Sequence, residues 1–327
     1  MLFRRLFHHT SFVSFLSSNV MTANQSLLSS LRKKTGYAIT NCKKALEIND
    51  NDIEKAENWL NSQAQAQGWA KAAKLNSRST PNGLVGIRLD TKCAIMVEVN
   101  CETDFVSKNE KFQTLVAQIT EACFKKSLEM VSSMDNPQES SLLKIGFDSE
   151  QLGTLQLNDS KNSKLSDLVA LNIGLIGENM TLRRAVALYS TNSNIKFSSC
   201  THPQQVLNES FLGKYAAVFA YEECTPSVKM EELNEVIAAE KLQKQLCQHI
   251  IGMNPRTIDK AKKLPDEENV EKSTNEEKAE KLVGDEESAL YHQEFLAYPE
   301  FTVREVLAHV GWDIKGFLRF ECGENLN

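Results

Sequence analysis

The chain has 327 residues, of which 41% are hydrophobic and 24% charged. This globular composition excludes collagen-like and wholly disordered chains, and the length suggests two or three domains at roughly 100–200 residues each. The 37 basic and 43 acidic residues sum to −6, which argues against affinity built on phosphate neutralisation, so no nucleic-acid partner is expected. No apolar run approaches the ~18 residues of a membrane-spanning helix, so no membrane partner is expected either.

The first residues carry Arg4 and Arg5 among Leu2, Phe3, Leu6 and Phe7, and no acid occurs before Glu47. This basic, Ser-rich, amphipathic pattern predicts a mitochondrial transit peptide over 1–22, and hence a place in the mitochondrial matrix. Thr10, Ser11, Ser14, Ser17 and Ser18 break up the apolar core that a secretory signal would need.

A three-helix module is expected over 23–66. Leu27, Leu28 and Leu31 mark its first helix and Thr35-Gly36 ends it; Ile39, Cys42, Ala45 and Leu46 repeat in the second; Ile53, Ala56, Trp59 and Leu60 repeat in the third. Asn51 and Glu54 have the spacing of a helix start signal. Residues 67–82 then read as a basic, Ala-rich linker.

From residue 83 the period changes to two. Leu84–Leu89 and Cys93–Val99 flank Asp90-Thr91-Lys92, which predicts a hairpin with one buried face. Beyond the segment Asn100–Val106 a helix follows on Phe112, Leu115, Val116, Ile119 and Cys123, with Ser107 and Glu110 spaced as its capping box. The core's first half is expected over 83–165, with no element assigned within 127–163.

A second half, 166–327, is expected to add a helix at Leu165–Ile176 and a strand at Met180–Leu188 with Met180, Leu182, Arg184, Val186 and Leu188 on one face. A strand at Tyr215–Tyr221, a helix near Met230–Ile251, one more helix and a terminal strand at Phe317–Glu321 complete it. Between them, 265–288 holds ten acids against Lys272, Lys278 and Lys281, the composition of a solvated, disordered linker. The fold class is α+β: an N-terminal three-helix module, then a core of two related α+β halves with antiparallel strands.

Catalytic chemistry is not indicated. The eight cysteines form no C-x-x-C pair and the six histidines no ligand spacing, so no metal or other cofactor is expected. Residues 208–215 (NESFLGKY) resemble a phosphate loop but lack its first Gly and its hydroxyl residue, so no direct nucleotide site is expected. The segment Asn100–Val106 places Asp104 beside Phe105 between a strand and a helix. Phe105 either folds under the helix as core or stands out as a stiff aromatic wedge for a partner's groove.

Three sets of residues carry a family resemblance. Thr35-Gly36, Cys42-Lys43-Lys44-Ala45-Leu46, Asp52-Ile53-Glu54-Lys55-Ala56 and Trp59-Leu60 resemble the N-terminal module of translation elongation factor Ts. Glu98 to Val106 (EVNCETDFV) resembles that family's central signature, and Ile176-Gly177-Glu178-Asn179 with Arg183-Arg184 a later one. Tyr37, the acidic stretch and the ending FLRFECGE at 317–324 look most like the mitochondrial branch.

The resemblance implies a guanine nucleotide exchange factor, not an enzyme. Its partner would be mitochondrial elongation factor Tu, in GDP-bound and nucleotide-free forms. In the family the Thr103, Asp104, Phe105, Val106 corner enters the GTPase near its Mg²⁺ site, with Phe105 as wedge and Asp104 as the acid that disturbs the metal region. Arg32, Ile39, Thr40 and Lys43 would dock on the GTPase domain, and Ile176 and Gly177 would add a second contact. Thr40 stands where bacterial members usually carry an apolar residue, and Leu212 lies near a bacterial His. Three-helix modules of this size also resemble ubiquitin-associated domains, so the rival reading is an adaptor that holds a peptide or a ubiquitin-like partner.

Overall fold

A computed structural model describes residues 25–133, 142–157, 163–228, 238–259 and 289–325. The leader expected over 1–22 and the acidic linker expected over 265–288 lie outside the described residues. The chain divides into two compact units, one of residues up to Asn76 with Ala170–Gly177, the other of Ser77–Val169 with Glu178–Asn327.

In the first unit, α1 (residues 25–35), α2 (Ile39–Ile48) and α3 (Ile53–Leu75) bring their apolar stripes together. Leu31, Tyr37, Cys42, Ala45, Leu46, Ala56 and Leu60 form the buried cluster. Helices as short as α1 and α2 are marginal alone, and burial at about 1.5–3 kcal/mol per large side chain is what holds them. The Tyr37 hydroxyl donates to Asn61 Oδ1 at 3.0 Å. Burial, and then the nearby Cys42 and Glu57, push its phenol up to about 12, so it remains a donor.

Two expectations change here. The third helix is capped by Asp52, not Asn51: the Asp52 side chain accepts from the Lys55 amide at 3.0 Å, while Asn51 holds a left-handed φ of 63°. The same helix runs 23 residues to Leu75, through most of the stretch expected as a linker. Alanine and lysine there are strong helix formers, and Leu171 and Leu175 of the helix Leu165–Ile176 complete the same apolar cluster.

The second unit is layered. Its first sheet joins β1 (Asn82–Leu89), β2 (Cys93–Cys101), β3 (Leu142–Phe147), β4 (Met180–Ser190), β6 (Gln205–Leu207) and β7 (Ser210–Gly213) in the order β3-β4-β2-β1-β7-β6, all antiparallel. The second joins β5 (Ile195–His202), β8 (Tyr215–Glu223) and β11 (Trp312–Glu321) as β11-β8-β5. Val85, Ile87, Ala94, Met96 and Leu188 of the first sheet interlock with Ala216, Val218, Leu318 and Phe320 of the second.

Helices close both outer faces. The one-turn α4 (Asp104–Ser107) leads into α5 (Glu110–Ser132), which covers β1 and β2. The far face of β8, with Ala217, Phe219 and Tyr221, meets Leu242, Leu246 and Ile250 of α8 (Ala239–Met253) and Val306 and Leu307 of α9 (Val303–Val310). The short α6 (Ser149–Thr154) and α7 (Leu165–Ile176) connect β3 to β4. A two-stranded ribbon, β9 (Glu294–Phe295) and β10 (Tyr298–Thr302), precedes α9.

Several expectations are corrected. The hairpin has no solvated face: every residue of β2 is buried, because α5 lies on one side and the second sheet on the other. In β4 the pairing with β2 jumps from Val99–Leu182 to Glu98–Arg184, which leaves Arg183 as an extra residue. Such a bulge shifts the alternation by one, so the expected face is split: Met180 and Leu182 share a face with Ala185 and Ala187, while Val186 and Leu188 pack in the core between the sheets. The α5 cap is Asn109, whose side chain accepts from the Lys111 amide at 2.9 Å; Ser107 belongs to α4.

Residues 127–163, left without an element, contain the end of α5, β3 and α6, the last opened by an Asp148–Gln151 capping box. The terminal strand begins at Trp312, well before Phe317. The six-stranded sheet takes strands from both of the expected halves. Six of the eight cysteines are buried, Cys200 is half-buried and Cys224 is exposed.

Candidate partner-binding site

The corner between β2 and α4 is built by a reciprocal exchange of carboxylates. Thr103, in extended backbone at φ −122° and ψ 157°, caps α4: its hydroxyl oxygen accepts from the Val106 amide at 3.3 Å. The same hydroxyl donates to Glu178 Oε1 at 2.9 Å, and the Thr103 amide donates to Glu178 Oε2 at 3.1 Å. In return, Glu102 Oε1 accepts from the Asn179 amide at 2.7 Å.

The Asn179 side chain donates to the Arg78 carbonyl at 3.0 Å, and Asn82 Nδ2 donates to the Glu102 carbonyl at 3.0 Å. Two segments some 75 residues apart in sequence thus hold each other's backbone. Hydrogen bonds to charged acceptors contribute about 1.5–3 kcal/mol each.

What the corner presents is decided within one turn. Val106 is 7% exposed and packs inward, whereas Phe105 is 80% exposed. The ring therefore does not fold under the helix. Asp104 is half-exposed and pairs with Lys108 Nζ at 2.8 Å. That hydrogen bond, and then the Lys108 charge, hold its carboxyl below the usual aspartate range despite some desolvation. The arrangement offers an ionised carboxylate beside an unpartnered aromatic face on a braced backbone.

Behind the corner lies a charge network that residue spacing does not reveal. Glu98 on β2 is fully buried, and its carboxylate accepts from Arg183 Nη1 at 3.0 Å, Arg184 Nε at 2.7 Å and the Gly323 amide at 2.8 Å. Arg184 also reaches Glu324 Oε1 at 2.6 Å and lies over the Phe320 ring at 3.9 Å. Arg319 takes the other Glu324 oxygen at 2.6 Å, and Arg183 donates to the Glu324 carbonyl.

Burial pushes the Glu324 carboxyl up. Hydrogen bonds from Arg184 and the Glu321 amide, with the Arg184 and Arg319 charges, outweigh that and leave it below the ordinary range. Gly323 turns this segment at φ +85°, where a Cβ would stand 2.2 Å from the Pro81 carbonyl oxygen. The family resemblance marked the segments at 98–106, 176–184 and 317–324 separately, without joining them; the partners come from three distant strands.

The remaining site residues belong to the first unit. Arg32, Thr40 and Lys43 are exposed and Ile39 is 50% exposed, while Cys42 beneath them is buried. Lys43 lies 3.9 Å from Glu47 one turn along α2. Ile176 is half-buried at the end of α7, and Gly177 is exposed at φ +92° with open space where a Cβ would project. Leu212 is buried in β7 and offers no polar contact. Among the described residues no group of His, Cys, Asp and Glu could hold a metal ion.

Comparison with known proteins bears on this site. Residues 12–70 match the family model described as elongation factor Ts, mitochondrial, N-terminal, and residues 102–324 match that of elongation factor TS. The chain is 40% identical over 310 residues to "Elongation factor Ts, mitochondrial" of Aedes aegypti, covering 93% of this chain and 90% of that protein. The protein of the same name from Drosophila melanogaster is 36% identical over 328 residues, covering 99% and 93%. That from Homo sapiens is 35% identical over 305 residues, covering 92% and 84%.

Proposed function

Since the chain belongs to the mitochondrial elongation factor Ts family, we propose that it is the guanine nucleotide exchange factor for elongation factor Tu in mitochondrial translation elongation. It binds the GDP form, speeds GDP release and remains on the nucleotide-free form, within the matrix. It has no active site of its own.

The observation that carries this reading is Phe105, a large ring 80% exposed on a corner fixed by hydrogen bonds. A rigid aromatic can enter a groove without first losing much conformational freedom. Phe105 acts as a wedge beside the partner's Mg²⁺, and Asp104 brings negative charge to the same place. Mg²⁺ demands near-ideal octahedral oxygen coordination, so a small displacement of its surroundings weakens it sharply. The GDP phosphates then lose their counter-charge and the nucleotide leaves. Linkage makes the effect reciprocal: nucleotide binding loosens the factor by the same ratio. The exposed Arg32, Ile39, Thr40 and Lys43 face supplies docking on the GTPase domain, and Ile176 with Gly177 a further contact.

The test is release of labelled GDP from mitochondrial elongation factor Tu with catalytic amounts of the chain and of Phe105→Ala. Burying a Phe side chain is worth roughly 1.5–3 kcal/mol, so the variant should be slower on the order of tenfold or more. A Phe105→Ala protein as fast as the parent would sink the wedge.

A further inference from the structure

We propose that Glu178 is a positioning residue for exchange: its carboxylate binds the Thr103 amide and hydroxyl and so fixes the turn that carries Asp104 and Phe105. The inference rests on the reading of Phe105 as the wedge and says what holds that wedge still.

The turn cannot hold itself. α4 is four residues long, and its closing bonds, from the Ser107 amide to the Thr103 carbonyl and from the Lys108 amide to the Asp104 carbonyl, measure 3.3 and 3.2 Å. A single turn forms few bonds for the dihedral freedom it gives up. Its exposed side, with Phe105, has no packing to fix it. The buried Val106, the Thr103 cap and the Cys101 thiol, which donates to the Thr103 carbonyl at 3.2 Å, tie it to the fold.

The cap works in one orientation. A threonine hydroxyl has one proton and rotates to suit its surroundings. Here the proton is committed to Glu178, 2.9 Å away, which leaves a lone pair for the Val106 amide. The second carboxylate oxygen takes the Thr103 amide, which precedes the turn and has no partner inside it. One carboxylate therefore fixes both the approach of the chain and the direction of the cap.

Glu178 is itself placed by its neighbours. Gly177 turns the chain with a φ of +92° that other residues rarely adopt. Asn179, on the other side, is held through its amide by Glu102 and through its side chain by the Arg78 carbonyl. Glu178 thus lies between two fixed points and reaches Thr103 from a braced backbone. It need not touch the partner to act, which separates it from Asp104 and Phe105.

The test measures GDP release from mitochondrial elongation factor Tu against concentration of the full chain, for the parent, Phe105→Ala, Glu178→Ala, Glu178→Gln, Thr103→Val and Thr103→Ser. Amide hydrogen exchange at residues 104–108 of the free chain is followed in parallel. Misplacing a reacting group by ~1 Å can cost up to ~100-fold, and a partial loosening should lower the maximal rate on the order of tenfold in Glu178→Ala and Thr103→Val. The half-saturating concentration, set by the rest of the interface, should move less.

Amide exchange at 104–108 should quicken in both variants. Thr103→Ser, which keeps the hydroxyl, should leave amide exchange at 104–108 as in the parent, and Glu178→Gln, with one acceptor oxygen left, should fall between. Because Glu178 and Thr103 act as one unit, a chain carrying both Glu178→Ala and Thr103→Val should be little slower than either single variant.

A slow Phe105→Ala beside a Glu178→Ala that matches the parent would overturn this inference and leave the wedge standing. A Phe105→Ala as fast as the parent overturns the wedge first, and this inference with it. Loss of rate in Glu178→Ala without faster amide exchange at 104–108 would also overturn it. If Glu178→Ala does not fold, Thr103→Val and Glu178→Gln decide by the same readings.

Discussion

Arg184 Nε lies 2.7 Å from Glu98 Oε2, and that carboxylate has no exposed surface at all. Arg183 and the Gly323 amide take the other oxygen. Removing one partner of a buried pair leaves an uncompensated charge, at a cost of about 3–5 kcal/mol. Glu324 stays to serve Arg184, so Glu98→Ala should lose near the lower end of that range. Urea unfolding followed by circular dichroism measures it. A loss under about 1 kcal/mol would mean that the network is not a stabilising centre.

Phe105 and Val106 are neighbours with opposite duties. Phe105→Ala should leave the unfolding midpoint almost unchanged, within about 0.5 kcal/mol, because the ring is mostly in water. Val106→Ala removes buried methyls and should cost about 1–2 kcal/mol. Parallel denaturation of the two variants checks the contrast, and a marked loss in Phe105→Ala would return that ring to the core.

Gly177 and Gly323 share a positive φ and differ in what surrounds them. At Gly177 a Cβ meets nothing within 4 Å; at Gly323 it meets the Pro81 carbonyl oxygen at 2.2 Å. Gly177→Ala should cost only the backbone strain, about 1–2 kcal/mol. Gly323→Ala adds a clash and disturbs the Glu98 contact, so it should cost clearly more. Equal midpoints in urea would contradict this.

His249 is buried between Gln293 and the Leu296 amide. The Leu296 N–H can only donate, so Nδ1 is the acceptor at 3.3 Å and Nε2 carries the proton toward Gln293 Oε1 at 3.0 Å. Burial holds the imidazole below the ordinary histidine range, against a smaller upward pull from Gln293. The unfolded chain then binds a proton near pH ~6.5 that the folded chain refuses. Stability should be level above that pH and fall below it, by at most ~1.4 kcal/mol per pH unit from this one group. His249→Gln, which does not titrate, should flatten the slope between pH 7 and 5 in urea midpoints.

The elements with strong periodicity were legible, and so was the exposed corner once its residues matched a family pattern. What sequence reading missed has physical causes. Glu98 sits where an outward residue of a half-buried strand would sit; nothing near it in sequence shows that Arg183 and Arg184 neutralise it and that the Gly323 amide binds it. The bulge at Arg183 has no local signature and split the expected face of β4 between the two sides of the sheet. Residues 67–75 looked like a linker for their basic, Ala-rich composition, yet their helix propensity and the close approach of Gly68 to Ala170 extend α3. The Glu178–Thr103 contact joins two segments that the resemblance marked separately, and only the folded chain shows them as one device.

The bond from Glu98 to the Gly323 amide spans 225 residues of sequence, which gives it a meaning during synthesis. Glu98 leaves the ribosome long before that donor exists, so Arg183 and Arg184 can pair with the charge first and the tail's amide completes its hydrogen bonds last. A message truncated upstream of β11 would therefore yield a sheet whose central carboxylate keeps its two arginines but lacks the Gly323 amide, and whose arginines lack Glu324, fit for proteolysis rather than for reduced exchange.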